Sequence, residues 1–505
     1  MLEEASSKEG HCFLPKEDLF ARVQEFLRLQ NTDLLEPALN RLCERKRLYL
    51  ETIRRAESVY QSRMAKSEKG LAMEFRERIQ ALSEDSARLR SLLREYETLQ
   101  GIGLDETQRA AVLRAVQNRV SVITGGPGTG KTTIIKAVIW VLQHLGTSCR
   151  VALCSPTGRA AKRMSESTGR RAATIHRMLG FNPGEGFAYN EFKSLPAEAV
   201  ICDEASMLDT RFAYALVRAL DKKCRLILVG DVNQLPSVGV GNVLNEIIAS
   251  EKVPVSTLGT IYRQSDSSFI ALNAKAVLEG KKSEVKLDNT ADDFFFMGVR
   301  NQEAGSEEKS KMVQAGLVTC VERLIAKGYG LNEIQVLSPM KDRTLGENEL
   351  NILLQRTFNP QGRTVYQGNQ REFRVGDKVM QVRNNYDRDV FNGDVGTVAS
   401  GSANSLTVDF YGKEVAYKRE DLHELTLAYA ITIHKAQGSE SRAVILIMSN
   451  SHYIMLSRPI LYTGITRAKE ICTVIGEKKA LWTAIGKNEV SNRNTHLAWL
   501  IQGKH

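Results

Sequence analysis

The chain has 505 residues, too many for one hydrophobic core, so roughly three or four compact units are expected. Apolar residues make up 42% and charged residues 25%, values that exclude a disordered or membrane-embedded chain. Lys and Arg number 69 against 59 Asp and Glu, a formal charge of +10 that favours a polyanionic partner.

The opening MLEEASSKEG carries acid and no apolar stretch, and no later run reaches membrane-spanning length. Residues 1–100 are expected to form a mostly helical region, because Glu68 to Leu99 is dense in charge with Leu, Ile and Met at three- and four-residue spacings. From Val120 the pattern changes to short apolar runs, VSVITGG, RVALCSPT, EAVICDEA and RLILVGD, separated by helical segments. Such alternation predicts a parallel sheet covered on both faces, here over residues 101–262 with a short insertion at 180–196. The insertion holds Phe181, Phe187, Tyr189 and Phe192, which either pack the loop or form an aromatic wedge. A second set, IQVLSPM, RAVILIM and ICTVIGE, predicts another α/β unit split between 263–364 and 426–505. Between its halves, residues 365–425 are rich in Gly and β-branched residues and are expected to be a small antiparallel barrel. The eight cysteines, Cys12, Cys43, Cys149, Cys154, Cys202, Cys224, Cys320 and Cys472, follow no metal-binding or disulfide spacing. A cytoplasmic, reducing location is expected.

The strand VSVIT runs into GGPGTGKTT, which satisfies G-x-x-x-x-G-K-[ST] with Gly125, Gly130, Lys131 and Thr132. Glycines let the backbone of Gly126, Pro127, Gly128, Thr129 and Gly130 wrap a triphosphate, so that N–H groups and a helix N-terminus at Thr132 and Thr133 face its charge. Lys131 suits the β and γ oxygens, and the Thr132 hydroxyl suits Mg²⁺. Downstream, the apolar strand in VICDEAS ends in Asp203 and Glu204, where a nucleotide-binding sheet presents a metal-holding and a water-activating carboxylate. ATP and Mg²⁺ are the expected ligands.

Eight segments then stand in the order of superfamily 1 helicase motifs: the loop at 125–133, SPTGRAAKRM, TIHRML, VICDEASML, LVGDVNQLPSVG, TIYRQ, AITIHKAQGSE and LYTGITRAKE. Their wording resembles RecD-like helicases, the exodeoxyribonuclease V alpha-chain group, over about residues 100–480. GHCFLPKEDL and ALNRLCERKRLYL resemble the region preceding the motor in free-standing, longer members, whose additional N-terminal modules are not represented in this sequence. The resemblance implies two RecA-like P-loop domains, an inserted SH3-like barrel and an N-terminal helical region.

The resemblance also implies roles. Gln108 would read the adenine edge, Tyr262 would stack on the base, and Gly438 and Glu440 would contact ribose and phosphate. Gln234 would sense the γ-phosphate, while Arg263 and Arg467 would act as arginine fingers across the cleft. Single-stranded DNA would be held by Pro156, Thr157, Arg159 and His176 in the first domain and by Thr432, His434 and Lys435 in the second. The implied activity is ATP-dependent 5′ to 3′ unwinding of duplex junctions in repair or recombination, with no nuclease constellation. Two competing readings are a non-hydrolysing DNA-binding subunit and an RNA-directed or mobile-element motor. Intact Lys131, Glu204, Gln234, Arg263 and Arg467 argue against the first.

Overall fold

The computed structural model describes residues 1–145, 149–182, 184–260, 268–299, 305–368, 371–402, 405–488 and 493–503. Among them no helix is long and apolar enough to cross a membrane.

The first α/β unit is built on a six-stranded parallel sheet. Its order is Val255–Leu258, Val120–Gly125, Arg225–Gly230, Ala199–Cys202, Val151–Ser155 and Ala172–Thr174. Side chains alternate across each strand, so Leu226 and Leu228 enter one core while Ile227 and Val229 enter the other. That is why Leu226 to Val229 in the run RLILVGD are apolar at every position. The second unit repeats the plan with five parallel strands in the order Phe294–Gly298, Ala468–Gly476, Ser441–Met448, Ile334–Ser338 and Ala430–Thr432. Here Val444, Leu446 and Met448 face one core, and Ala443, Ile445 and Ile447 the other.

The inserted segment is an antiparallel sheet of five strands, Glu414–Lys418, Ser405–Asp409, Val395–Gly401, Lys378–Gln381 and Leu425–Leu427 in spatial order. The expected barrel is not closed: the two outer strands are not paired with each other among the described residues. The sheet curls over a core of Phe373, Val379, Val398, Leu406, Val408 and Tyr417 instead. Buried polar groups root it in the second unit. Asp377 accepts from Gln355 Nε2 at 2.6 Å, Asn359 Nδ2 at 2.8 Å and the Tyr429 hydroxyl at 3.0 Å. Lys378 is only 2% exposed and donates to the Ile334 and Leu331 carbonyls at 2.7 and 3.3 Å.

The N-terminal region is mostly helical, over Lys16–Leu27, Leu35–Glu44, Ser62–Arg78 and Ser86–Gln100, but it also holds a sheet that was not expected. Phe13–Pro15, Leu48–Ile53 and Ala56–Gln61 form a three-stranded antiparallel sheet. The hairpin turn is Arg54-Arg55, both at positive φ (53° and 65°), a conformation ordinarily given to Asn-Gly, so the usual turn signal is missing from the sequence. The helix Ser86–Gln100 packs through Leu89, Leu93 and Tyr96 into the core of the first α/β unit. The far C-terminus also departs from expectation. Leu497 and Ile501, expected with the second unit, enter the core of the first, next to Leu71 and Phe75. Glu68, fully buried, accepts from the Tyr60 hydroxyl, the Thr495 hydroxyl and the His496 amide, and thereby ties the tail to the N-terminal sheet.

His452 is fully buried, and neither ring nitrogen has a partner among the described residues. Burial, assisted by the charge of Arg343, pushes its imidazole down to about 4. An unfolded histidine titrates near 6.5. Because the folded value is depressed, the stabilisation is complete above the unfolded value and is lost as pH falls toward the folded one. From about pH 7.5 to about pH 5 the loss is roughly 2 kcal/mol. Urea denaturation at both values is expected to show a smaller acid-side loss for His452→Leu than for the wild type; equal losses would refute a neutral buried imidazole.

Candidate functional site

The glycine loop follows directly from the strand Val120–Gly125 and opens the helix Lys131–His144. Gly128 and Gly130 stand at φ of 78° and 85°, a region that side chains resist, and a Cβ on Gly130 would lie 2.4 Å from Gln108 Nε2. No side chain caps the helix at Gly130, so its first N–H groups are available to an anion. Lys131 Nζ donates to the Gly125 and Gly126 carbonyls at 2.7 and 2.8 Å, a folded-back pose held by loop oxygens. Gln108 uses its amide locally: Oε1 accepts from the Asp105 N–H, and Nε2 donates to the Thr129 carbonyl at 3.3 Å.

Asp203 and Glu204 come next in space. The strand Ala199–Cys202 ends against them, and Glu204 adopts left-handed φ of 53°, a strained conformation for a residue that carries a Cβ. Its N–H donates to Asp203 Oδ1 at 2.8 Å. Burial, then the Glu204 charge, raises the Asp203 carboxyl to about 6. A carboxylate in that condition gains from a cation. The Thr132 hydroxyl lines the same cavity, and both are hard oxygen donors of the kind Mg²⁺ takes.

The cavity has a volume of about 340 Å³ and draws residues from both sheets. Pro127, Gly128, Gly130, Lys131, Thr132, Asp203, Glu204 and Gln234 belong to the first unit, and Glu440 and Arg467 to the second. Arg467 is 3% exposed and is aimed by bonds from Nε to the Thr463 carbonyl at 3.1 Å and from Nη1 to the Ser439 carbonyl at 3.0 Å. Gly438 lies beside Thr157 and Ala160 of the first unit. Thr133, next on the helix, is not in the lining, and Gly126 and Thr129 border a neighbouring cavity of about 250 Å³. Tyr262 and Arg263 lie outside the described residues.

Residues not singled out from the sequence complete the cleft. Arg163 bridges it, donating to the Gly438 carbonyl at 3.0 Å and pairing with Glu440 at 3.3 Å. Asp231, fully buried, accepts from Gln234 Nε2 at 3.1 Å and from the Tyr462 hydroxyl at 2.9 Å. The Leu235 amide donates to Thr463 Oγ1 at 3.1 Å, and Gln437 Nε2 donates to the Leu235 carbonyl at 2.7 Å. Asp231 and Tyr462 stand inside the quoted motifs, and Arg163 follows Arg159 at four-residue spacing. Each signal was present, but none told which partner waited across the cleft.

The seven candidate DNA residues gather at the C-terminal ends of strands in the two sheets, where parallel sheets carry ligands. Pro156 and Thr157 follow Val151–Ser155, and Thr157 caps the next helix. Arg159 Nη1 reaches the Gly393 carbonyl of the inserted sheet at 3.3 Å. His176 packs among Phe181, Phe187 and Phe212, with burial lowering its basicity. Thr432 Oγ1 accepts from the Lys435 amide, and Lys435 Nζ pairs with buried Glu347. His434 is likewise held below its ordinary value, first by burial and then by the charge of Arg493. Within the 180–196 insertion, Phe187 and Tyr189 pack against the first core, whereas Phe192 is 92% exposed.

Residues 108–240 match the AAA domain family, 350–410 the ATP-dependent RecD-like DNA helicase SH3 domain, and 427–475 the UvrD-like helicase C-terminal domain. The chain is similar to the ATP-dependent RecD2 DNA helicase of Deinococcus radiodurans, 35% identical over 400 residues, covering 78% of this chain and 52% of that one. It therefore spans about half of that relative's length. The RecBCD enzyme subunit RecD of Mycobacterium tuberculosis is 30% identical over 429 residues, covering 77% and 72%. That of Haemophilus influenzae is 28% identical over 471 residues, covering 78% and 72%. Three ordered domain matches, joined to 30% identity across more than two thirds of a RecD subunit, mean that this chain belongs to the RecD-like family of superfamily 1 helicases.

Proposed function

We propose that the chain is an ATP-dependent DNA helicase that moves 5′ to 3′ along single-stranded DNA and serves DNA repair or recombination. The observation that carries this reading is the single cleft lined by Lys131, Asp203, Glu204 and Gln234 from one sheet and Glu440 and Arg467 from the other. Loop amides and the helix N-terminus receive the triphosphate, and Lys131 exchanges its loop carbonyls for β and γ oxygens. Glu204 takes a proton from water, whose oxygen attacks the γ-phosphorus as the bond to the bridging oxygen of ADP breaks. Arg467 and Arg263 stabilise the charge that develops. Thr132 and Asp203 would hold Mg²⁺, which would screen phosphate charge there. Gln108 and Tyr262 serve the base, and Gly438 and Glu440 the ribose and phosphates.

Loss of the γ-phosphate reaches the second unit through Gln234, because its amide shares Asp231 with Tyr462. The strand lies across Pro156, Thr157, Arg159, His176, Thr432, His434 and Lys435; to bind it, Arg159 releases Gly393 and Lys435 releases Glu347. Direction follows from family membership and from the antiparallel sheet inserted between Ile334–Ser338 and Ala430–Thr432. A cytoplasmic location suits eight free cysteines.

Lys131→Ala is expected to abolish ATP turnover, while Glu204→Gln retains nucleotide but loses hydrolysis by about 10³-fold or more in single-turnover assays. Wild-type turnover by Glu204→Gln would remove this carboxylate from water activation. The decisive test of the function uses two forked duplexes that differ only in tail polarity. ATP-dependent unwinding is expected from the 5′ tail, with salt-sensitive binding; unwinding from the 3′ tail alone would refute the direction, and none from either would refute the helicase reading.

A further inference from the structure

Arg493 lies where the C-terminal tail, the N-terminal region and the loop that follows Gln234 meet. Its Nη1 donates to the Gly239 and Gly241 carbonyls, both at 2.6 Å, and to Ser237 Oγ at 3.2 Å, while Nη2 donates to the Ser237 carbonyl at 2.7 Å. Every acceptor belongs to the loop that follows Gln234 and Leu235. A planar guanidinium directs several N–H groups in fixed directions, which suits it to hold an irregular loop in one shape.

That loop has little freedom of its own. A Cβ on Gly239 would lie 2.2 Å from Asp209 Oδ2, and one on Gly241 would lie 2.1 Å from Thr210 Oγ1. Gly241 donates its N–H to the Gly10 carbonyl at 2.9 Å, and a Cβ on Gly10 would lie 2.6 Å from Arg493 Nε. The arginine is thus fitted between the loop and the N-terminal region, and the segment carrying His434 is bonded to the start of the same loop, where Gln437 Nε2 donates to the Leu235 carbonyl at 2.7 Å. Arg493 Nε is buried with no partner among the described residues, so the guanidinium is held by its two terminal nitrogens alone.

We propose that Arg493 is a positioning residue that holds the Gln234 loop in register between the nucleotide cleft and the strand-end segment carrying His434, so that occupancy of one is transmitted to the other. It touches no reacting atom. The proposal rests on the motor reading above, and it identifies the C-terminal tail as part of the coupling machinery rather than an appendage.

The test compares ATP turnover with and without an oligothymidylate, together with thermal midpoints, in the wild type, Arg493→Ala, Arg493→Lys and Thr495→Val. Thr495→Val removes the tail's bond to Glu68 and leaves the loop untouched. The ratio of DNA-stimulated to basal turnover is expected to fall about ten-fold in Arg493→Ala, less in Arg493→Lys, and not at all in Thr495→Val. Arg493→Lys keeps the charge and most of the packing, so it decides the matter if the alanine variant does not fold. An unchanged ratio in both Arg493 variants would overturn the proposal. So would an equal fall in Thr495→Val, which would make the effect one of tail packing. A wild-type chain that shows no stimulation would overturn the motor reading itself, and the coupling role with it.

Discussion

A carboxylate taken out of water survives in the interior only where donors replace its hydration. Asp231 meets that demand from two directions: Gln234 supplies an amide from the same loop, and Tyr462 supplies a hydroxyl from the other α/β unit. The Tyr462 hydroxyl is in turn kept protonated, by burial and by the carboxylate it serves. Each half of the molecule therefore needs the other at this point. The bonds of Leu235 to Thr463 and Gln437 lie alongside, and the Leu235 side chain enters the second unit's core. A junction made from a few directional polar bonds over a small apolar contact can be remade in a second geometry, which a continuous apolar core resists.

The inserted sheet extends that logic. Its root is buried in the second unit by Asp377 and Lys378, and burial, then the nearby Arg159, lowers the Lys378 ammonium to about 7. Its far end rests on the first unit, where Phe391 fills the space beside Gly158, Arg159 meets Gly393, and Arg177 pairs with Asp389 at 3.7 Å. Most of the bonds that hold the root are buried, while those that hold the tip are part-buried or exposed. The tip, beside the strand-end residues Pro156 and Thr157, is therefore the weaker of the two attachments.

The tail closes the arrangement. Arg54 lies over the Trp499 ring, and His496 stacks on Phe13 at 4.2 Å, so the last residues seal the N-terminal sheet against the first unit. A chain that leaves the second sheet at Gly476 thus returns to the first, and the two units are tethered at both ends of the second.

Elements whose signal is local are legible in the chain directly. The alternation of apolar runs with helices disclosed both parallel sheets, and the glycine spacing at 125–133 disclosed the phosphate loop, because a tight turn around a triphosphate admits few residue types. Asp203 and Glu204 were legible as a strand end. The remaining features depend on pairs of residues far apart in the chain. The hairpin at Arg54-Arg55 carries none of the usual turn residues, so no local signal marks its two strands off from the helices around them. The inserted sheet's openness depends on which strands meet, which β-propensity does not encode. Asp231 and Tyr462 are 231 positions apart, Arg163 and Gly438 275, and Arg493 and Ser237 256. A polar side chain's role is set by the partner that satisfies it, and folding alone brings these partners within reach.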